Sequence, residues 1–420
     1  MVELNFDFYY SIPFWVCFLV IAIGARLFDP SPRRRAVLLG LASSLMLLAI
    51  PRFGLKDLGL ILGLSAYTYL VGKVLLRSAL ALRSPRKTFI AGAGISAVLA
   101  FLAFFKYHFI QGFFLAGPGT EAAEPIGLIR LIGVSYFSFR MIHFLVEAYR
   151  GKIEGLDPLI YFDYIVFFPA FISGPINRYN HFASQLSHSI KSSPREDLSK
   201  GGERIVHGLF KKFVLAQILY PHILSTQPDT LAQLHPHEIL LGLYAYALYF
   251  YFDFAGYSDL AIGCARILGI ELPENFNNPF LKRNIRELWT NWHMSLTGWL
   301  VDYIYWPAVR KLRDRDYFRR HPVFLSNLGM IVTFIVCGMW HGEAAHFILW
   351  GVYHGVGISI LTLYQREKRK IRQPALQRYF RSNISRVLGV FLTFNYFAVG
   401  LSLFVLDMEK VRLLLAGLLP

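Results

Sequence analysis

Charged residues are scarce in this chain. They make up 17% of its 420 residues, against 55% for apolar residues, whereas a soluble domain carries about 25% charged residues. With a mean hydropathy of +0.43, that deficit excludes an ordinary water-soluble globule. Acidic residues are scarcer than basic ones, 27 against 43, and the formal net charge is +16. A basic excess suits nucleic-acid binding when it is gathered into one region. Here Lys and Arg are spread through short loops between apolar runs, as in the cytoplasmic loops of membrane proteins. Nucleic acid is therefore not an expected partner. Cysteine is nearly absent. Cys17, Cys264 and Cys337 lie in apolar stretches, no pair has metal-ligand spacing, and they read as small packing residues. The N-terminus lacks the basic region of a secretory signal. "MVELNFDFYYSIPFWVCFLV" is acidic before its apolar run and reads as a first retained span. No repeat of 20–50 residues is visible, so a solenoid is not indicated.

Aromatics are abundant, at 16%, with 37 Phe and 23 Tyr, as suits a chain that touches lipid and its interfaces. A spanning helix needs about 20 mostly apolar residues. The apolar runs predict spans near 10–28, 36–50, 56–76, 88–110, 127–147, 203–222, 239–265, 322–341, 345–365 and 383–406. The fold class is an all-α polytopic membrane protein of about ten to eleven transmembrane helices.

Charge orients the spans. "PRRR" (Pro32–Arg35), "RSALALRSPRK" (Arg77–Lys87), "YRGK" (Tyr149–Lys152) and "REKRKIRQPALQRYFR" (Arg366–Arg381) belong inside by the positive-inside rule. The alternate loops "GPGTEAAEP" (Gly117–Pro125), "STQPDTLAQLHPHE" (Ser225–Glu238) and "GEAA" (Gly342–Ala345) are poor in basic residues and belong outside, as does the N-terminus.

Two stretches break the pattern. "IVFFPAFISGPI" (Ile165–Ile176) is apolar but short, and Pro169, Gly174 and Pro175 interrupt it. It reads as a re-entrant segment, whose irregular backbone needs protein or a water-filled cavity around it. Asn278–Arg320 carries Trp289, Trp292, Trp299 and Trp306 between basic clusters. That density predicts amphipathic helices at the cytoplasmic interface.

Ionisable residues within spans are costly and mark function by default. "YFDFAGYSDLAIG" (Tyr251–Gly263) places Asp253, Tyr257, Ser258 and Asp259 in an apolar helix. A polar knot between helices is the alternative for each. Lys211 and Lys212 are expected to snorkel to headgroups. Of thirteen histidines, His293 in "NWHMSL", His341 in "GMWHG" and His354 in "GVYHG" stand out. A buried histidine is more often a hydrogen-bonding core residue than a catalyst. His341 has a setting that favours catalysis, since neutral imidazole is a suitable general base near pH 7. Gly338 and Gly342 permit close approach of a substrate or a helix, and Trp340 supplies a flat wall. No H-x-x-x-H or carboxylate spacing supports a metal, so none is expected. The charge map puts His293 at the cytoplasmic face and His341 at or below the outer end of a span.

"GVSYFSFR" (Gly133–Arg140), "FFPAFISGPINRYNHF" (Phe167–Phe182), "GLFKKFVLAQ" (Gly208–Gln217), "YFDFAGYSDLAIG", "NFNNPF" (Asn275–Phe280), "ELWTNWHMSLTGWLVDYIY" (Glu287–Tyr305) and "GMWHGEAAHFILWGVYHG" (Gly338–Gly355) follow in order. Together they resemble the membrane-bound O-acyltransferase family. The resemblance implies one membrane domain over 1–420, with its core motifs at about 130–355, built around a central tunnel. It implies transfer of an acyl group from a thioester to a hydroxyl. It makes His341 and His293 the catalytic pair, and it implies that Asn291, Trp292, Trp340, Asp253, Tyr257 and Ser258 line the substrate tunnel. Two bacterial branches are similar, one of teichoic-acid D-alanylation proteins and one of alginate O-acetylation proteins. The expected donor is accordingly acetyl-CoA or a phosphopantetheine carrier-protein thioester, with no bound cofactor. The expected partners are membrane lipid, that donor, an extracytoplasmic acyl-relay protein and a glycan acceptor. The expected location is the bacterial cytoplasmic membrane. The competing class is a transporter or flippase, because broken segments and buried Asp residues also occur there.

Overall fold

The computed structural model describes residues 11–27, 31–77, 84–116, 131–187 and 193–418. The expected outer loop Gly117–Pro125, His188 and the first ten residues lie outside them. Among the described residues there are helices and no strands. Each of the ten expected spans falls on a helix. Six are long and apolar enough to cross a membrane: Leu55–Arg77, Pro85–Lys106, Pro236–Ile267, Pro322–His341, Ala345–Lys370 and Asn383–Val405. Pro32–Leu48 falls short in length, because 17 residues at 1.5 Å each reach about 26 Å, while Pro194–Phe210 runs on into a π-helical turn at Lys211–Leu215.

The chain divides into two compact units, Met1–Gly208 with Tyr257–Pro273, and Leu209–Gly256 with Glu274–Pro420. The first contains α1 (Ile12–Leu27), α2 (Pro32–Leu48), α3 (Leu55–Arg77), α4 (Pro85–Lys106), α5 (Val134–Tyr149), α6 (Pro158–Val166) and α7 (Pro194–Phe210). α4 starts where Ser84 accepts a hydrogen bond from the Lys87 N–H and Pro85 fits the first helical position. α5 packs on α3 and α4. At Gly72 of α3 a β-carbon would come within 2.3 Å of the Phe144 ring.

The interrupted segment after α6 is buried from Phe167 to Gly174. Its helix stops at Val166, a 3-10 turn covers Phe168–Ala170, and irregular backbone follows. Side chains satisfy that backbone, as irregular structure away from water requires. Arg140 donates to the Tyr164 carbonyl (2.7 Å) and the Ala170 carbonyl (3.3 Å). The Ser173 N–H donates to the Tyr257 hydroxyl (3.2 Å), and the Tyr179 N–H donates to His143 Nε2 (3.0 Å). Arg35, expected in a cytoplasmic loop, is instead buried. It donates to the carbonyls of Gln185, Leu268 and Gly269, the last two being groups that the end of the next long helix leaves open.

That helix is α8 (Pro236–Ile267), whose last turns belong to the first unit. There Arg204 of α7 pairs with Asp259 (2.7 Å), and Arg266 pairs with Asp197 (2.6 Å). The polar-knot alternative therefore holds for Asp259.

The second unit holds the first part of α8, then α9 (Ile285–Thr290), α10 (Met294–Leu300), α11 (Trp306–Arg313), α12 (Pro322–His341), α13 (Ala345–Lys370) and α14 (Asn383–Val405). Two expectations are corrected here. Lys212 does not snorkel. It is buried at 2% exposure and forms an ion pair with Asp253, because a partner across the helix pair offsets the cost of leaving water. The tryptophans do not all mark an interface. Trp289, Trp292 and Trp299 are buried and Trp306 is exposed, because Trp289 and Trp292 pack onto Phe276, Phe280 and Phe397 and Trp299 packs against Tyr303. α12 and α13 pack along much of their length. A β-carbon on Gly351 would stand 2.4 Å from the Phe334 carbonyl oxygen, and one on Gly355 would stand 2.8 Å from Ile331 Cα. The "GVYHG" motif is thus a small-x-x-x-small contact that lets two backbones touch. On α14, Ile384, Val387, Leu388, Phe391 and Leu392 are exposed, a helical-period apolar stripe suited to lipid.

Candidate active site

His341 is the last residue of α12 and is half-buried. Its ring stands edge-on to Phe404 of α14 (4.8 Å between centroids) and to Trp350 of α13 (5.3 Å), with Trp340 at 4.5 Å. The flanking glycines serve a helix. A β-carbon on Gly338 would meet the Phe347 carbonyl oxygen at 2.2 Å, and one on Gly342 would meet the Phe347 ring at 2.3 Å. Phe347, in the first turn of α13, is therefore seated against both. The short connection Gly342–Ala344 holds the imidazole between three helices.

His293 is placed by a different device. Asn284 caps α9 by accepting from the Glu287 N–H (3.0 Å), while its amide donates to the Glu287 carboxylate (2.7 Å). α9 ends at Thr290, and His293 takes a left-handed conformation, φ +42°, at the start of α10. Its Nδ1 lies 3.3 Å from the Oδ1 of Asn275, a fully buried residue that also accepts from the Ser295 hydroxyl (2.6 Å). The imidazole stands edge-on to Phe254 at 4.7 Å. Burial pushes its pKa down to about 3, so the ring is neutral at ordinary pH.

A run of phenylalanines links the two histidines. From His293 it passes to Phe254 (4.7 Å), Phe250 (6.4 Å) and Phe404 (6.0 Å), and from Phe404 to His341 (4.8 Å). All five residues belong to the second unit. Trp292 packs beside this run against Phe250 (5.6 Å) and Phe397 (5.0 Å). Asn291 closes α9, its amide donating to the Glu287 carbonyl (2.8 Å). Asp253 belongs to the same unit but is engaged with Lys212. Tyr257 and Ser258 are buried in the first unit, the Tyr257 hydroxyl against Ser173. Sequence reasoning missed Phe250, Phe254, Phe404, Trp350 and Asn275. Phe254, Asn275 and Trp350 lie in motifs quoted above for other residues, and Phe250 stands four before Phe254, hence on the same helix face.

The model of the MBOAT, membrane-bound O-acyltransferase family, matches residues 130–404, which takes in both histidines and every ring between them. The chain belongs to the membrane-bound O-acyltransferase family. As a member it is a multi-pass membrane protein and an O-acyltransferase. Among the relatives of this O-acyltransferase is the teichoic acid D-alanyltransferase of Bacillus subtilis, 31% identical over 67% of this chain and 70% of the relative. The probable alginate O-acetylase AlgI of Azotobacter vinelandii is 29% identical over 82% of this chain and 66% of the relative. That of Pseudomonas aeruginosa is 29% identical over 71% and 56%. The match spans roughly two thirds of such relatives.

Proposed function

We propose that this O-acyltransferase moves a small acyl group, acetyl or D-alanyl, from a cytoplasmic thioester to a hydroxyl of an extracytoplasmic glycan or glycopolymer. The observation that carries this is the aromatic run from His293 to His341 within one unit. It gives the two groups the chemistry needs a shared apolar, aromatic surrounding. His341 takes the proton of the acceptor hydroxyl, the oxygen attacks the thioester carbonyl, and the thiol leaves with a proton. His293, neutral and oriented by Asn275, shapes the donor end. The donor is acetyl-CoA or a carrier-protein thioester. The acceptor is reached directly or through an extracytoplasmic relay protein. The protein sits in the bacterial cytoplasmic membrane with its N-terminus outside. The names of the relatives, a D-alanyltransferase and O-acetylases, support a small acyl group and a polymer acceptor.

Mild base treatment of the host's surface glycan, with mass spectrometry of the released acids, tests this. In cells carrying His341→Ala, one acid is expected to fall by about 10²- to 10⁴-fold, the range for loss of a general base, with the protein still folded in the membrane. Acetate or D-alanine then names the acyl group. Unchanged acids in both the deletion and His341→Ala would overturn the assignment.

A further inference from the structure

His354 is fully buried, and neither of its ring nitrogens has a hydrogen-bond partner. The indole nitrogens of Trp289 and Trp350 are in the same condition. The three rings form a triangle of edge-on contacts, Trp289 to His354 at 4.9 Å, Trp350 to His354 at 5.0 Å and Trp289 to Trp350 at 5.5 Å. Gly400 of α14 closes one side. A β-carbon there would stand 2.9 Å from His354 Nε2. Trp350 also borders the proposed reaction centre, since it contacts His341 at 5.3 Å as well as Phe404 at 5.5 Å.

The polar inventory of this box is lopsided. A neutral imidazole has one donor and one acceptor, and each indole has a donor only. The box thus holds three N–H donors and one acceptor, all shut away from water and unpaired, which is costly. Packing alone gives no reason for that cost, because a phenylalanine at 354 would fill the space with no polar atom to satisfy. With donors outnumbering the acceptor, a fitting guest accepts more hydrogen bonds than it donates, and a carbonyl oxygen with its two lone pairs does so.

We infer that the Trp289–Trp350–His354 box is the acyl subsite, binding the carbonyl oxygen of the transferred acyl group on its N–H donors and the short acyl carbons between its aromatic faces. This rests on His341 being the base of the acyl transfer. Trp289, at 9% the most exposed of the three, is the ring that turns aside to admit the group. The close walls limit the group to a few carbons, so the box sets acyl length as well as position.

The test uses cells whose single copy of the full chain is varied, grown with added propionate and butyrate, and read by mild-base release of esterified acids. His354→Phe keeps a ring and removes both nitrogens, and the ester content is expected to fall about tenfold, as on loss of one hydrogen bond, while the folded protein in the membrane is unchanged. Trp289→Phe removes one N–H and is expected to cost about threefold. Trp289→Ala opens the box, so propionyl and butyryl esters are expected to appear, a change that loosened packing alone does not produce. Wild-type ester content in His354→Phe, or an unaltered set of acids in Trp289→Ala, overturns the subsite. Should His354→Phe fail to fold, the Trp289 pair decides. Ester loss in His341→Ala with none in His354→Phe and Trp289→Phe sinks the box alone. Ester retained in His341→Ala as well sinks the His341 assignment with it.

Discussion

Where α7 meets the last turns of α8, buried charge is matched to charge: Arg204 holds Asp259, and Arg266 holds Asp197. In the second unit Lys212 holds Asp253 in the same way. Around Trp289, Trp350 and His354 the opposite rule applies, and buried nitrogens face rings without a partner. The difference separates two uses of polar groups in an apolar interior. A matched pair fixes helices and has nothing left to offer a substrate. An unmatched nitrogen costs stability and is free to meet one.

The comparison breaks most sharply at Asp253. If it is a structural partner, Asp253→Ala removes the counter-charge that faces the buried Lys212 ammonium, and the expected loss is about 3–5 kcal/mol of stability. Thermal melts in detergent and the yield of folded protein report it. The double variant Lys212→Met, Asp253→Leu is expected to recover both stability and ester transfer. A double variant that folds but transfers nothing would return Asp253 to the substrate path.

A smaller effect is expected where the unpaired box depends on close backbones. Gly351→Ala sets a β-carbon 2.4 Å from the Phe334 carbonyl oxygen, and forcing α12 from α13 costs about 1–3 kcal/mol. Because Trp350 and His354 ride on α13, ester transfer should fall further than the melting temperature alone explains. Equal effects on both would make the helix pair a scaffold and nothing more.

The smallest effect concerns His293. Burial lowers its folded pKa to about 3, while the unfolded chain binds a proton near pH 6.5. Between those values the unfolded state holds the extra proton, so this contribution to stability is present above about pH 6.5 and is lost as pH falls toward 3. Melting temperatures between pH 7.5 and 5 should drop less in His293→Asn than in the wild type. Parallel curves would show that His293 reaches solvent and protonates in the folded protein.

Much of this was legible in the sequence. Apolar length and local start signals such as Ser84–Pro85 locate helices, since both act within a few residues. The proline- and glycine-broken stretch after Val166 announced its irregular backbone. The ordered motifs pointed to the family and to His293 and His341. What stayed hidden depends on partners far away in the chain. Lys212 looked like a snorkelling residue because Asp253 is 41 positions distant. Trp289, Trp292 and Trp299 looked interfacial because a tryptophan has the same composition at an interface as in a core. The glycines beside His341 could have served a substrate or a helix, and only the position of Phe347 decides. His354 stood out in its "GVYHG" setting, but its unpaired state is a property of the rings around it.

The left-handed turn at His293 has a practical consequence for genetics. At φ +42° asparagine and glycine are at ease, histidine is tolerated, and a β-branched residue is strained. A valine scan would therefore confuse a bent chain with a missing imidazole, and alanine would do so to a lesser degree. Asparagine removes the ring and leaves the turn. Comparing it with valine at the same site divides any defect into the share owed to chain shape and the share owed to the imidazole, an internal calibration built into the backbone.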